Sequence, residues 1–155
     1  MITAVDTNIM LDLLLPDEPH GQAALDLLDR AAQAGAVVMS EPVYAELALS
    51  FPDQRELDQF LGDAGLQLVG SRASTLYRAG MAWRDYTRRR PAALACPRCG
   101  NQQEVQCTRC GASLRPRQHI VADFIIGAHA LLQADRLLTR DRRYYGTYFP
   151  DLTVG

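Results

Sequence analysis

Four acidic residues occupy positions where carboxylates are expected to meet. Asp6 follows a short apolar segment, Ile2–Val5, and Asp141 follows another such segment by two residues. Asp123 interrupts the apolar sequence IVADFIIGAHA, and Glu46 lies on a predicted helix after a further strand. A carboxylate cluster stays ionised only if cations neutralise it, and an oxygen-only donor set suits Mg²⁺ or Mn²⁺. These ions support phosphodiester hydrolysis by activating a water and stabilising the leaving oxygen.

The elements that position these acids alternate along the chain. The sequence predicts strands over about 2–5, 36–39, 66–69 and 136–139, and helices over about 8–15, 20–34, 40–50, 53–64, 72–88 and 117–134. This alternation is typical of an α/β fold whose parallel sheet is covered on both faces. Such sheets bind ligands beyond the carboxyl ends of their strands, where Asp6 and Asp141 lie. The tail sequence DLTV is a candidate for a fifth strand.

Asp123 is predicted to lie at the border of the apolar face of its helix. At about 100° per residue, it falls roughly 60° outside the apolar arc. It lies next to Gly127 and Ala130, whose small side chains are expected to leave room around the carboxylate. Together with Glu46 and the two acids that follow strands, Asp123 is therefore expected to line a single pocket.

All four cysteines fall within residues 96–110. They form two Cys-x-x-Cys-Gly segments, in which each pair presents two thiolates to one ion and the glycine permits a tight turn. Cys96, Cys99, Cys107 and Cys110 would close a tetrahedral site, which favours structural zinc over rubredoxin-like iron, a disulfide or a metal-free form. Residues 94–117 contain almost no apolar side chains. We therefore predict a zinc-ribbon-like insert whose stability depends on metal.

Length and composition limit the remaining possibilities. The 155 residues, 48% of them hydrophobic, suffice for a single domain over 1–155 that carries one small insert. All 16 basic residues are arginines. The absence of lysine excludes a Walker phosphate loop and a pyridoxal Schiff base. Because the sequence has neither a long apolar run nor a signal-peptide pattern, we expect a cytoplasmic protein without a membrane span.

Positive charge is concentrated in one segment. Residues 1–83 carry 4 arginines and 12 acidic residues, whereas residues 84–117 carry 8 arginines and 2 acidic residues. An acidic pocket by itself repels a polyanion, so a basic surface is needed to hold a polyanionic substrate near it. The candidates for phosphate contacts are Arg98, Arg109, Arg115 and Arg117. The alternative is that these arginines are solvated or pair with the acidic body of the protein.

Four segments occur in an order typical of one nuclease family. The sequences AVDTNIMLDLL, PVYAELA, ADFIIGAHA and LLTRDRRYY resemble the acidic motifs of PIN-domain nucleases, most closely those of VapC-type toxins of bacterial toxin–antitoxin pairs. The resemblance covers nearly the whole chain outside 94–117. It implies that the catalytic acids are Asp6, Glu46, Asp123 and Asp141. Three of these acids, Asp6, Asp123 and Asp141, would bind Mg²⁺ or Mn²⁺. Asn8 and Thr139 would be supporting polar residues of the site.

The resemblance also implies an architecture and partners. The fold would be a three-layer α/β/α sandwich around a central parallel sheet. The activity would be metal-dependent cleavage of single-stranded RNA that leaves a 5′-phosphate and a 3′-hydroxyl. The protein would form a homodimer and be inhibited by a cognate antitoxin. The cysteine insert is absent from the minimal family pattern.

The hypothesis is therefore an endoribonuclease that acts as the toxin of a type II toxin–antitoxin system and carries structural zinc. The alternative is a catalytically silent nucleic-acid-binding or regulatory module on the same fold. An aspartyl-nucleophile phosphatase is disfavoured, because that chemistry needs an Asp-x-Asp pair where this chain has Asp6-Thr7-Asn8.

Other histidine and aromatic residues are expected to be structural. His119 lies one helical turn before an acidic residue, within reach of an acid or a phosphate, but a half-exposed structural role is favoured. Tyr77, Trp83 and Tyr86 are expected in the core or at a dimer surface. The segment 140–149, rich in arginine and tyrosine, is expected to pack rather than to stack on bases.

Overall fold

A four-stranded parallel sheet forms the centre of the computed structural model, which describes residues 1–15, 20–89, 93–96, 98–114 and 119–155. The strands are β1 (Ile2–Val5), β2 (Ala36–Met39), β3 (Leu66–Leu68) and β7 (Arg136–Leu138), and their order is β3-β2-β1-β7. Thr3 of β1 pairs with Val37 on one side and with Arg136 on the other. The predicted α/β class and parallel sheet are confirmed.

Seven helices of the described residues flank this sheet. They are α1 (Thr7–Leu14), α2 (Gly21–Ala34), α3 (Glu41–Leu47), α4 (Gln54–Asp63), α5 (Ala73–Arg89), α6 (Val121–Gln133) and α7 (Arg142–Tyr148). A 3-10 turn, Ala48–Ser50, extends α3. Side-chain caps start two of the helices, because Asp53 accepts the Glu56 N–H and Asp141 accepts the Tyr144 N–H. No helix among these residues is long and apolar enough to span a membrane.

The core lies between the sheet and its helices. Val5, Met39 and Leu137 are at most 1% exposed, as expected for strands that are covered on both faces. Helix α6 approaches the segment after α7 closely, since a Cβ atom on Gly127 would lie 2.3 Å from the Phe149 ring. The room that glycine leaves is therefore filled by Phe149 and does not surround Asp123, which corrects the prediction for this position.

The insert forms a separate antiparallel sheet. Its strands are β4 (Ala93–Ala95), β5 (Gln102–Gln106) and β6 (Ser113–Leu114), in the order β4-β5-β6. Every side chain of β5 and β6 is exposed. This small sheet therefore has almost no apolar core of its own, in agreement with its composition.

Three elements differ from the prediction. Helix α6 begins at Val121 rather than near 117, because Ile120 is extended and its N–H donates to the Asp123 carboxylate (2.9 Å). Helix α7 was not predicted, although Asp141 provides its N-cap. The tail adds a single parallel bridge, Leu137 to Val154, and not a full fifth strand.

Candidate active site

Asp6 is held at the carboxyl end of β1 by contacts with the end of β7. The Asp6 N–H donates to the Leu138 carbonyl (3.0 Å). The Thr139 hydroxyl donates to Asp6 Oδ2 (2.6 Å), and Asn8 Nδ2 donates to the same oxygen (2.8 Å). Pairing of β1 with β7 thus fixes the orientation of this carboxylate.

Asn8 and Thr139 also tie the segment after β7 to the start of α1. Asn8 Oδ1 accepts the Arg140 N–H (3.2 Å), and Thr139 Oγ1 accepts the Asp141 N–H (3.0 Å). These two bonds place Asp141 at the same edge of the sheet as Asp6, which is where parallel strands should bring the two acids.

Burial raises the pKa of Asp6. The residue is 7% exposed, and its desolvation raises the pKa from 3.8 to about 6. Hydrogen bonds from Thr139 and Thr7 oppose this rise, and the negative charge of Asp123 adds to it. A cation beside Asp6 would therefore stabilise its ionised form.

The other two acids come from α3 and α6. The Thr7 hydroxyl donates to the Glu46 carboxylate and so fixes its orientation. Asp123 Oδ2 lies 3.6 Å from His119 Nδ1. The His119 ring also stacks on Tyr144, with ring centroids 4.0 Å apart and planes at 22°. His119 is half-buried and contacts both an acid, as its position one turn before Asp123 allows, and the aromatic packing.

The four acids line one cavity of about 270 Å³. Asn8, His119, Arg140, Tyr144 and Tyr145 also line it. The cavity lies beyond the carboxyl ends of β1 and β7, the usual ligand position in an open parallel sheet. Thr139, the other predicted supporting residue, does not line the cavity but donates a hydrogen bond to Asp6, which does.

The donor chemistry of this cavity fits a hard divalent cation, because carboxylate and hydroxyl oxygens are the ligands that Mg²⁺ and Mn²⁺ prefer. Within the described part of the chain, however, no three His, Cys, Asp or Glu side chains form a group that could ligate one ion. The acids share a cavity but are not arranged as a formed metal centre.

Sequence comparisons identify the family of this chain. Residues 3–87, which include Asp6 and Glu46, match the family model described as the PIN domain. The chain belongs to the PIN domain family. A structural comparison finds the same fold in the crystal structure of VapBC2 from Rickettsia felis bound to a DNA fragment from their promoter, with a TM-score of 0.62 and 17% identity over 100% of this chain and 98% of that chain. A comparison with curated proteins gives no match.

Arg140, which lines the cavity, forms an ion pair that was not predicted from the sequence. Asp12 on α1 is 2% exposed, and Arg140 Nη2 lies 3.1 Å from its Oδ1. A buried carboxylate is costly without a compensating charge, and Arg140 supplies that charge. The available signal was an acidic residue inside the apolar sequence MLDLLL.

The two cysteine segments of the insert form turns of the same geometry. The Gly100 N–H donates to the Cys96 carbonyl, and the Gly111 N–H donates to the Cys107 carbonyl, both at 2.8 Å. Both glycines have positive φ, 73° and 71°, a region that favours glycine. Backbone N–H groups also point at the first sulfur of each turn and lower the pKa of Cys96 and of Cys107.

The four thiols stand as two pairs. Among the described residues, which include all four cysteines, no three ligating side chains gather at one point. The predicted four-thiolate site is therefore not assembled in this structure. Arg98 and Arg109 occupy equivalent, exposed positions in the two turns. Arg115 and Arg117 lie outside the described residues.

The aromatic residues singled out from the sequence are divided between core and surface. Tyr144, Tyr145 and Phe149 are at most 6% exposed, as expected for packing residues. Tyr86 is 3% exposed and Trp83 is partly buried, whereas Tyr77 is 70% exposed. The tyrosines of α7 therefore form part of the cavity wall and are not a free stacking platform.

Proposed function

We propose that this PIN domain is a Mg²⁺- or Mn²⁺-dependent endoribonuclease and the toxin of a type II toxin–antitoxin system that acts in the cytoplasm. The observation that carries the proposal is the shared cavity of Asp6, Glu46, Asp123 and Asp141 at the carboxyl edge of the sheet. PIN family membership supports a nuclease, and the oxygen-only donor set supports a hard cation.

In this proposal, Asp6, Asp123 and Asp141 would hold the cation, and Glu46 would complete the catalytic set. A bound Mg²⁺ or Mn²⁺ would lower the pKa of a water molecule and stabilise charge on the phosphate. Hydrogen bonds keep the protein groups in place beforehand: Thr139 and Asn8 orient Asp6, and Thr7 orients Glu46. The products are a 5′-phosphate and a 3′-hydroxyl.

The decisive experiment measures cleavage of single-stranded RNA with Mg²⁺, with Mn²⁺ and with EDTA. Asp141→Asn should lower the rate on the order of 10²-fold or more, because it removes a negative charge that would hold the cation at the reacting phosphate. Asp151→Asn changes an exposed acid outside the cavity and should cleave like the wild type. If Asp141→Asn also cleaves at the wild-type rate, the assignment of the acids is wrong. Wild-type protein that binds RNA without cleaving it would favour the silent-module alternative.

We further propose that the protein forms a homodimer and binds a cognate antitoxin. The support is the fold it shares with VapBC2, which was solved with promoter DNA. Light scattering measures the mass of the protein alone, and co-purification with the product of the neighbouring reading frame tests for the antitoxin. A monomer that co-purifies with no such product would contradict both statements.

For the insert, we propose one structural zinc ion held by Cys96, Cys99, Cys107 and Cys110. The support is the identical geometry of the two turns, the N–H groups directed at the first sulfur of each, and a sheet whose β5 and β6 side chains are all exposed. We also propose that the arginines of the insert contact RNA phosphates, namely Arg98, Arg109, Arg115 and Arg117.

A further inference from the structure

A second cavity adjoins the acidic one and extends to the insert. It has a volume of about 350 Å³ and shares His119, Asp141 and Tyr144 with the acidic cavity. Its outer wall includes Gln102 of β5 and Arg143 of α7. We propose that this second cavity is the subsite for the nucleotide next to the scissile phosphate, and that Gln102 selects its base. This inference rests on the proposed ribonuclease function.

The first support is continuity. Because three residues border both cavities, a chain whose phosphate lies at the acids can pass its next nucleotide over His119 and Tyr144 into the second cavity. These two rings stack, with their centroids 4.0 Å apart. The volume lies at the small end of the range for ligand pockets, about 300–1,000 Å³, which suits one nucleotide rather than a folded partner.

The second support is the chemistry of Gln102. A carboxamide carries both a donor and an acceptor, and glutamine uses the pair to recognise base edges. Bases of single-stranded RNA expose these edges to protein side chains. Side chains alternate along a strand, so Gln102 and its neighbour Gln103 lie on opposite faces of β5, and Gln103 does not line the cavity.

The third support is the position of Arg143. Its guanidinium is exposed at the wall of the same cavity, where it can bind the phosphate of the adjoining nucleotide. In the described part of the chain, the side chains of Gln102 and Arg143 make no hydrogen bond or ion pair. Both groups are therefore available to a ligand. Arg142, the preceding residue, is equally exposed but lines neither cavity.

The test is the cleavage profile of a randomised single-stranded RNA pool. The profile gives, for one position beside the cut, the ratio of cleavage at the most preferred base to cleavage at the least preferred base. Gln102→Ala should reduce this ratio on the order of tenfold, which is the effect of losing one good base contact. Gln102→Glu, which keeps an acceptor but loses the donor, should change which base is preferred. Gln103→Ala is the matched control and should keep the wild-type profile. Thermal melting checks that all three variants are folded.

Arg143 is tested by affinity. Arg143→Gln should weaken RNA binding and reduce the salt dependence of binding by about 0.7 in log–log slope, the value for one phosphate contact with a single strand. Arg142→Gln should change neither quantity.

A binding experiment separates this inference from the ribonuclease proposal. If the wild type cleaves no RNA, the proposed function fails, and the subsite is then tested by binding four homopolymeric oligoribonucleotides to Asp6→Asn protein. There, Gln102→Ala should reduce the spread of affinities, whereas Gln103→Ala should not. If the Gln102 and Gln103 variants are indistinguishable in both cleavage profile and binding, the inference about the subsite is overturned. This holds even if Asp141→Asn loses activity and so supports the proposed ribonuclease function. The cavity would then not be a base-selecting subsite.

Discussion

The Thr139 hydroxyl donates a 2.6 Å hydrogen bond to Asp6 Oδ2 across the β1–β7 pair. Thr139 is 3% exposed, and its oxygen also accepts the Asp141 N–H, so one hydroxyl joins two of the four acids. It stabilises the ionised form of a carboxylate that burial destabilises. The protonation of Asp6 should therefore respond to changes at Thr139 as well as to cations.

Asp6→Asn is expected to stabilise the metal-free protein at pH 7. Because the pKa of Asp6 is raised from 3.8 to about 6, its contribution favours folding below about pH 4 and is lost as the pH rises through 6. At neutral pH, this rise in the pKa of Asp6 lowers the free energy of unfolding of the wild type by about 3 kcal/mol. Denaturant melts in EDTA at pH 4 and pH 7 measure it. The gain should appear at pH 7 and shrink towards pH 4, and Asp151→Asn should show none. An equal effect at both pH values would mean that charge burial is not its cause.

Thr139→Val is expected to move the pH dependence of cleavage upwards. Wild-type cleavage at low Mg²⁺ should fall as the pH drops through about 6, where Asp6 takes up a proton. Removing the Thr139 hydroxyl raises the pKa of Asp6 further, so the midpoint should move to higher pH. Added Mg²⁺ should lower the midpoint in both proteins, since protons and metal compete. Thr87→Val removes a hydroxyl bonded only within α5 and provides the control. Identical midpoints for wild type and Thr139→Val would contradict the assignment to Asp6.

Freshly reduced protein is expected to contain about one zinc ion per chain, bound at the insert. Cys99→Ser and Cys107→Ser each remove one thiolate and should lose the zinc, whereas Ser113→Ala, an exposed change in β6, should retain it. Elemental analysis measures the content. The zinc-free variants should also be cut by protease within 93–114, because metal coordination would supply the stability of this sheet. If the analysis finds stoichiometric iron instead of zinc, the site is rubredoxin-like. If it finds neither metal, the four-thiolate proposal is wrong.

Gly127→Ala is expected to destabilise the fold by about 1–3 kcal/mol, the usual cost of overpacking. Its Cβ would lie 2.3 Å from the Phe149 ring, so α6 and the segment after α7 must separate. Gly80→Ala is a matched change in α5, where nothing lies within 4 Å of the new Cβ. It should stabilise the protein by about 0.5–1 kcal/mol through helix propensity. Chemical denaturation measures both, and a neutral Gly127→Ala would show that Phe149 yields easily.

Arg140→Gln is expected to destabilise the protein by about 1–3 kcal/mol, since it leaves the Asp12 carboxylate buried without its counter-charge. The cost is below that of a fully buried pair because Arg140 is partly exposed to solvent. Asp12→Asn in the same chain should recover part of the loss, which a double-mutant cycle measures. Additive losses would show that the two side chains are not coupled.

The sequence was sufficient to predict what depends on strand order. Apolar segments that end in Asp6 and near Asp141 define two parallel strands, and their carboxyl ends bring both acids to one edge. The sequence was insufficient to predict features that depend on packing between distant segments. The space beside Gly127 is filled by Phe149, 22 positions away in the chain, and no periodicity within α6 reveals that. Helix α7 has only 7 residues and contains Gly146 and three tyrosines, so its propensity signal is weak.

The bond between Asp6 and Thr139 spans 133 positions of the chain. Contacts so distant in sequence form late, because the loop between them must first be closed. During synthesis, a nascent chain that has reached the end of α5 holds Asp6 and Glu46 but has neither β7 nor the residues that orient Asp6. The cavity is therefore assembled only after the ribosome has made the fourth strand of the central sheet, and translation itself sets the moment at which the four acids can meet.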